Sequence, residues 1–203
     1  GLHGANRLGG NSLAEILIFG KIAGQNASNF SKNLTKKVRS QKAIYLAHEN
    51  IDKLIKRGDY LAIPIQNELR DIMWKYCGVV KNGDDLNKGL AEINRLKKQV
   101  LNIDVRIEDK NFIDLINLLD LKASLISAEA TFMSAISREE TRGSHIRKDF
   151  PNLDANLKFN NRVKMKNDSL EIFRKEITSP KKILADLIKK SKRIKDFSGK
   201  LIE

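Results

Sequence analysis

The residues best suited to chemistry lie near the N-terminus, in the segment HGANRLGGNSL at positions 3–13. Arg7 stands on a glycine-rich loop, where an arginine can bind a carboxylate through two parallel hydrogen bonds. Gly10 has no Cβ, so the backbone can approach a ligand closely there. A helix start predicted at Ser12 and Leu13 adds backbone N–H groups and the positive end of a helix dipole. The segment therefore favours a planar or anionic ligand that carries carboxylates.

The element that positions this loop is a predicted apolar helix. Ser12 and Glu15 have the spacing of a capping box, so the helix is expected to run from Leu13 to Ala23. Gly24 is the expected C-terminal stop. Apolar residues lie on nearly every side of this helix, which therefore needs covering. We expect it to self-associate with another copy or to pack against a part of the protein outside these 203 residues.

Downstream of a predicted linker at 25–41, apolar residues recur at three- and four-residue steps. This periodicity predicts an antiparallel helical bundle over residues 42–140, because short loops join consecutive helices. The predicted helices are Lys42–Arg57, Pro64–Tyr76, Asp84–Leu101 and Lys110–Arg138.

The pattern changes in the C-terminal segment, residues 141–203. Apolar and polar residues alternate on both sides of Asn167-Asp168, which predicts a β-hairpin formed by Arg162–Lys166 and Leu170–Ile177. Pro180 separates this hairpin from a terminal amphipathic helix predicted over Ile183–Phe197. The fold class is therefore mainly α, with a small hairpin segment and a terminal helix.

The chain is basic, with a net charge of +13. Residues 158–203 hold 14 Lys and Arg against 6 Asp and Glu. No nucleic-acid-binding motif accompanies this charge, so we expect a solvated lysine-rich surface and no nucleic-acid partner. Cys77 is the single cysteine and the three histidines lie far apart, so no metal site is expected. The expected location is cytoplasmic, either free or at the membrane face through partner proteins.

Three segments, in order, resemble the family that contains the flavoprotein subunits of succinate dehydrogenase and fumarate reductase together with L-aspartate oxidase. Residues 3–24, HGANRLGGNSLAEILIFGKIAG, are similar to a motif that the members of this family share. Residues 69–86 are similar to the stretch around M-W-x-x-x-G-V/I-x-R. Residues 140–151, ETRGSHIRKDFP, resemble E-S-R-G-A-H-x-R-x-D-F/Y-P.

The resemblance implies roles for the N-terminal residues. Arg7 matches the arginine that binds a substrate carboxylate, and Gly10 matches a position whose backbone lies beside the substrate. Ser12 and Leu13 match the pair whose backbone amides contact the isoalloxazine ring of FAD. Negative charge that develops on a flavin during reduction is stabilised by a helix N-terminus. No catalytic residue proper is assigned within the chain.

Other residues receive structural interpretations. His3 is expected to anchor the loop more than to face a ligand. Arg142, His145 and Arg147 are expected to dock the helical domain onto an FAD domain or a partner subunit. Cys77 is expected to pack in the core. The chain departs from the family pattern after Pro151, where residues 152–157 contain no tryptophan, and at Lys81, where the family has arginine.

The resemblance implies that residues 1–24 end an FAD-binding domain and that the intact parent interconverts succinate and fumarate. The family's GxGxxG segment and capping domain have no counterpart in these 203 residues, so the chain alone is expected to be inactive and to hold no FAD. Expected partners are those missing domains, a dicarboxylate substrate and an iron–sulfur subunit. An L-aspartate oxidase, a thiol-driven fumarate reductase and a non-catalytic basic helical interaction module are the open alternatives.

Overall fold

The computed structural model describes residue 3 and residues 10–35, 40–108, 111–179 and 181–192. Helices dominate these ranges and two small two-stranded sheets accompany them, so the mainly α-helical class is confirmed. In chain order the elements are α1 (Asn11–Lys32), α2 (Gln41–Asp52), α3 (Ala62–Cys77), β1 (Val80–Lys81), α4 (Gly83–Val100), α5 (Ile113–Ser137), β2 (Ile146–Arg147), β3 (Phe159–Lys166), β4 (Ser169–Glu176) and α6 (Lys182–Lys192).

The core is the bundle formed by α3, α4 and α5, in which each helix contacts the other two. Leu86, Ile93 and Leu96 recur on one face of α4 and are fully buried. They belong to one apolar cluster with Leu121 and Phe132 of α5, which are also inaccessible to solvent. The predicted bundle is therefore confirmed for α3, α4 and α5, with helix bounds within three residues of those expected. The prediction also included α2, which buries none of its residues and so is not part of this core.

Two local features fix the start and the packing of α4. The Asn82 side chain accepts a hydrogen bond from the Asp85 amide at 2.9 Å, which caps the helix. Further along, Gly89 lets α4 approach α5 closely. A Cβ at Gly89 would lie 2.4 Å from the Phe132 ring and 2.8 Å from Cβ of Tyr76. The glycine is required here by the space that the aromatic ring occupies.

The structure corrects the bounds of the first two helices. α1 continues through Gly24 to Lys32, so the predicted stop at Gly24 is wrong, and so is the linker prediction for residues 25–32. Glycine ends a helix efficiently when it adopts positive φ, which Gly24 does not. α2 ends at Asp52 instead of Arg57. The segment that follows bonds across to the α4–α5 loop, where the Val105 amide donates to the Lys56 carbonyl at 2.9 Å.

The predicted hairpin is confirmed, and it contains eight residue pairs from Phe159↔Glu176 to Lys166↔Ser169. Asn167 and Asp168 form its turn with φ values of 48° and 60°, as a tight turn of the primed type requires. A second sheet was not predicted. In it β1 pairs in parallel with β2, so Lys81 lies opposite Arg147.

α6 begins one residue before its predicted start, and the predicted residues 193–197, like Pro180, lie outside the described residues. No described helix combines the length and the apolar character that crossing a membrane demands.

Candidate functional site

The N-terminal site is built around the start of α1. Gly10 precedes the helix with φ 81° and ψ −33°, a conformation that glycine adopts without strain. No heavy atom lies within 4 Å of the position that a Cβ would take at Gly10, so this face of the backbone is open. The first helical hydrogen bond runs from the Ala14 amide to the Gly10 carbonyl at 3.3 Å. The Leu13 amide therefore lies in the first turn, ahead of that bond.

The predicted capping box is wrong. α1 begins at Asn11, so Ser12 is the second helical residue and Gly10 occupies the capping position without a side-chain hydrogen bond. The positive φ of Gly10 lets the chain enter the helix earlier than Ser12 would. Glu15 instead contacts Nε2 of His3, across twelve positions of the chain. This contact agrees with the interpretation of His3 as a loop anchor.

The structure places three of the four predicted site residues together. Gly10, Ser12 and Leu13 lie within the first turn of α1, and Arg7 lies outside the described residues. Leu13 is 65% exposed. No acidic residue occupies the first turn, so nothing there offsets the positive dipole end. An open glycine backbone, an exposed apolar side chain and a positive helix end suit a flat ring whose edge accepts hydrogen bonds and takes up negative charge, such as a flavin.

A second cluster of polar groups lies in the E-T-R-G-S-H segment, residues 140–145. Glu140 is fully buried. Its Oε1 accepts from Nη1 of Arg138 at 2.5 Å and from Nε of Arg142 at 2.7 Å. Its Oε2 accepts from Nη2 of Arg142 at 3.0 Å and from the Asp154 amide at 2.9 Å. Burial alone would raise the Glu140 pKa, but the bonds from Arg142, the Asp154 amide and Arg138 outweigh it and hold the pKa at about 2.

Arg147 ties the same part of the chain to two helices. Its side chain is 3% exposed and its Nη1 donates to the Ala135 carbonyl at the end of α5, at 2.7 Å. Its Nε and Nη2 donate to the two oxygens of Asp149 at 2.8 and 2.7 Å. The Gly83 amide at the start of α4 donates to the same carboxylate at 2.8 Å. The hydrogen bond from Arg147 is the main cause that sets the Asp149 pKa far below its ordinary range.

These contacts change the interpretation of the motif's basic residues. Because Arg147 is buried within the chain, the prediction that it docks onto another domain or subunit is wrong. Arg142 and His145 are half-buried and line a cavity. Nε2 of His145 lies 3.0 Å from the Arg138 carbonyl oxygen, and burial lowers the His145 pKa.

Sequence reasoning missed Glu140 as the centre of this cluster. The signal was present, because Arg138 and Arg142 each stand two positions from it. Cys77 packs half-buried against the apolar core and burial raises its thiol pKa, as expected for a packing cysteine. Within the described residues, no group of three or more His, Cys, Asp or Glu is placed to hold a metal ion.

These features define a class of protein. The family described as fumarate reductase flavoprotein C-term matches residues 66–190, and the chain belongs to this family. The resemblance to this family is thereby confirmed, and the matched residues contain the second and third motifs, whereas residues 3–24 lie outside them.

Individual relatives agree with this assignment. The chain is 37% identical to an uncharacterized FAD-dependent oxidoreductase of Methanocaldococcus jannaschii, and 36% identical to one subunit of the fumarate reductase (CoM/CoB) of Methanothermobacter marburgensis. Each match covers 74% of this chain and 27% of the relative. Among solved structures, the Mycobacterium smegmatis Sdh1 complex in the apo form matches with a TM-score of 0.79 and 26% identity, over 89% of this chain and 32% of that one. The chain thus spans about a quarter of the length of the curated relatives it matches.

Proposed function

We propose that the intact protein containing this chain is an FAD-dependent oxidoreductase that interconverts succinate and fumarate. The chain supplies one wall of the active site and by itself is inactive. Family membership supports this proposal, and the observation that carries it is the glycine-capped start of α1, with Gly10 three positions after Arg7 in the sequence. Gly10 has an open backbone face and positive φ, which suits close approach of a flat substrate.

The residues of the chain have distinct roles in this proposal. Arg7 binds one substrate carboxylate through two parallel hydrogen bonds and so orients the dicarboxylate. Gly10 leaves room for the substrate beside the backbone. The first-turn amides at Ser12 and Leu13 hold the edge of the FAD ring system, where the helix dipole stabilises negative charge. FAD, when bound, supplies the hydride-transfer chemistry.

The exposed apolar surface of α1 supports the proposed partners. None of its residues is buried, and Leu17 is 72% exposed. Contiguous apolar surface of this kind marks an interface. We assign it to the FAD-binding and capping domains of the intact protein, and in the isolated chain to self-association. An iron–sulfur subunit is the proposed electron partner, and through it the protein sits at the cytoplasmic face of the membrane. Other exposed apolar residues of α1 are Leu13, Ile16, Ile18, Phe19, Ile22 and Phe30.

A thiol-driven fumarate reductase is the second candidate. The 36% identity to one subunit of the fumarate reductase (CoM/CoB) of M. marburgensis favours it. Assays of the intact protein with succinate, with fumarate plus thiol donors, and with L-aspartate separate these two activities from L-aspartate oxidase. Oxidation of L-aspartate without turnover of succinate or fumarate would contradict both candidates.

Arg7→Lys in the intact protein tests the proposed carboxylate grip. Lysine keeps the charge but loses the two-pronged geometry, so we expect succinate and fumarate turnover to fall by about 10²-fold while FAD stays bound. Steady-state kinetics and the flavin absorbance of the same sample measure the two properties. Arg57→Lys is the matched control, because Arg57 is 74% exposed and its ion-pair contact with Asp104 is a long one, at 3.8 Å. Near-normal kinetics of Arg7→Lys would contradict the assignment.

A further inference from the structure

A cavity of about 730 Å³ lies beside the E-T-R-G-S-H segment, and no residue of α1 is among the described residues that line it. Its walls come from β1, from α5 and the loop after it, and from β3. Its size lies within the range of small-molecule sites. It is separate in sequence from every residue that we assign to substrate or flavin.

The charged residues that line the cavity are basic. Lys81, Arg138, Arg142 and His145 line it, and no Asp or Glu is among the described residues that do. The Glu140 carboxylate bonds to both Arg138 and Arg142 and does not line the cavity. Its single negative charge offsets one of the two guanidinium charges. The cavity lining therefore carries an excess of positive charge. An anion would interact with these charges more strongly there than in water, because the effective dielectric constant is lower.

Lys81 is the lining residue whose hydrogen-bond donors are least used. It is half-buried, and among the described residues its Nζ reaches only the Val79 carbonyl, at 3.3 Å. The parallel pairing of β1 with β2 fixes Lys81 beside the motif, because the Lys148 amide donates to the Lys81 carbonyl at 2.8 Å. A half-buried ammonium group that no described carboxylate contacts favours an anionic ligand.

Part of the cavity lining is apolar. Leu157 and Ile177 line it together with two alanines of α5, and Ile177 is 57% exposed. The Phe159 ring also borders it, but Arg138 and Arg174 cover the ring at 4.6 and 4.5 Å from its centroid. An inorganic ion would leave the apolar side uncovered, whereas an organic acid would use both walls.

We propose that this cavity binds a small organic carboxylate, with its charged group held by Lys81 and His145 and its apolar body against Leu157 and Ile177. A carbonyl oxygen only accepts, so Nε2 of His145 carries the hydrogen toward Arg138, and Nδ1 takes up the second proton. Burial, together with the charges of Lys81, Arg147 and Arg138, lowers the pKa of His145, and Arg142 adds a further charge to the cavity wall. A bound carboxylate offsets these charges and favours the imidazolium.

Titration of the 203-residue chain with benzoate and hexanoate tests the site. The ¹⁵N-resolved NMR signal of the His145 ring should report saturable binding and a His145 pKa raised by the ligand. Affinity should be severalfold higher at about pH 5.5 than at about pH 8, because protonation of His145 and carboxylate binding are coupled. Benzyl alcohol, which lacks the charge, should leave the His145 pKa unchanged.

Lys81→Gln should weaken benzoate binding about tenfold, since one charge-assisted hydrogen bond is lost. Lys148→Gln is the matched control, because Lys148 is exposed, lies three positions after His145 and does not line the cavity. Equal affinity of the two variants, or no saturable shift of His145 in the unmodified chain, would overturn the proposal. Inorganic phosphate that shifts His145 as strongly as benzoate would overturn the assignment to an organic carboxylate.

Discussion

Glu140→Gln is the substitution that most directly tests whether the buried Glu140 cluster stabilises the C-terminal half of the chain. The carboxylate is fully buried and accepts four hydrogen bonds, from Arg138, twice from Arg142 and from the Asp154 amide. Glutamine has nearly the same shape but replaces one acceptor oxygen with an NH₂ group. Both carboxylate oxygens of Glu140 accept from N–H donors, so the NH₂ group would face a donor whichever oxygen it replaced. The guanidinium groups of Arg138 and Arg142 would also lose their buried counterion.

The expected loss of unfolding free energy can be worked out from the contacts of Glu140 and from its pKa. Removal of one partner from a buried ion pair costs about 3–5 kcal/mol. The Glu140 pKa is about 2 in the folded chain against an ordinary 4.5, and at about 1.4 kcal/mol per pH unit this difference corresponds to about 3 kcal/mol. Because the folded pKa is depressed, this stabilisation is complete above about pH 4.5 and is lost as the pH falls toward 2.

Urea unfolding of the 203-residue chain, followed by circular dichroism at about pH 7 and at steps from about pH 5 to 2.5, measures both effects. We expect Glu140→Gln to lower the free energy of unfolding by about 3–5 kcal/mol at pH 7 and to flatten its decline in acid. Glu139→Gln is the control, because the Glu139 side chain forms no ion pair with any described residue. A Glu140→Gln stability within about 0.5 kcal/mol of the control, with the same acid dependence, would refute the reasoning.

Two further predictions concern packing and association. Gly89→Ala should destabilise the bundle by about 1–3 kcal/mol, because its Cβ would meet the Phe132 ring at 2.4 Å. Gly24→Ala is the control and should not destabilise the chain, because no atom lies within 4 Å of its Cβ position. Equal urea unfolding midpoints for the two variants would contradict this account. The isolated chain should self-associate through α1, so Leu17→Glu should lower its sedimenting mass. Asn26→Glu, at an exposed position on the opposite face of the same helix, should not. A wild-type chain that sediments as a monomer would disprove the association.

The sequence was sufficient for the bundle because its signal is local. Leu86, Ile93 and Leu96 repeat with the helical period, and the same period that predicts α4 also predicts which face is buried. The hairpin was predictable for a similar reason, since Asn167 and Asp168 are among the residues that tolerate positive φ. Each of these elements is specified by residues close to one another along the chain.

Features that depend on distant partners could not be predicted in this way. The two-residue strands β1 and β2 carry no periodicity, and they exist because the chain returns much later to place Lys81 opposite Arg147. The stop expected at Gly24 failed because the same residue type can continue a helix or end it, depending on φ. For the candidate site, Gly10, Ser12 and Leu13 were identified together, whereas the cap was assigned to Ser12 in place of Gly10.

The E-T-R-G-S-H segment and the residues after it illustrate why a motif can be recognised before its role is understood. Arginines in a charged motif suggest an interface, yet Arg147 is used inside the chain, where it joins the end of α5 to the start of α4 through Asp149 and Gly83. Glu140 likewise holds the loop in place through its hydrogen bonds from Arg138, Arg142 and the Asp154 amide. The chain therefore uses its buried charges to hold irregular backbone against the bundle. Lys81, which contacts no acidic group among the described residues, is the cation available for a ligand.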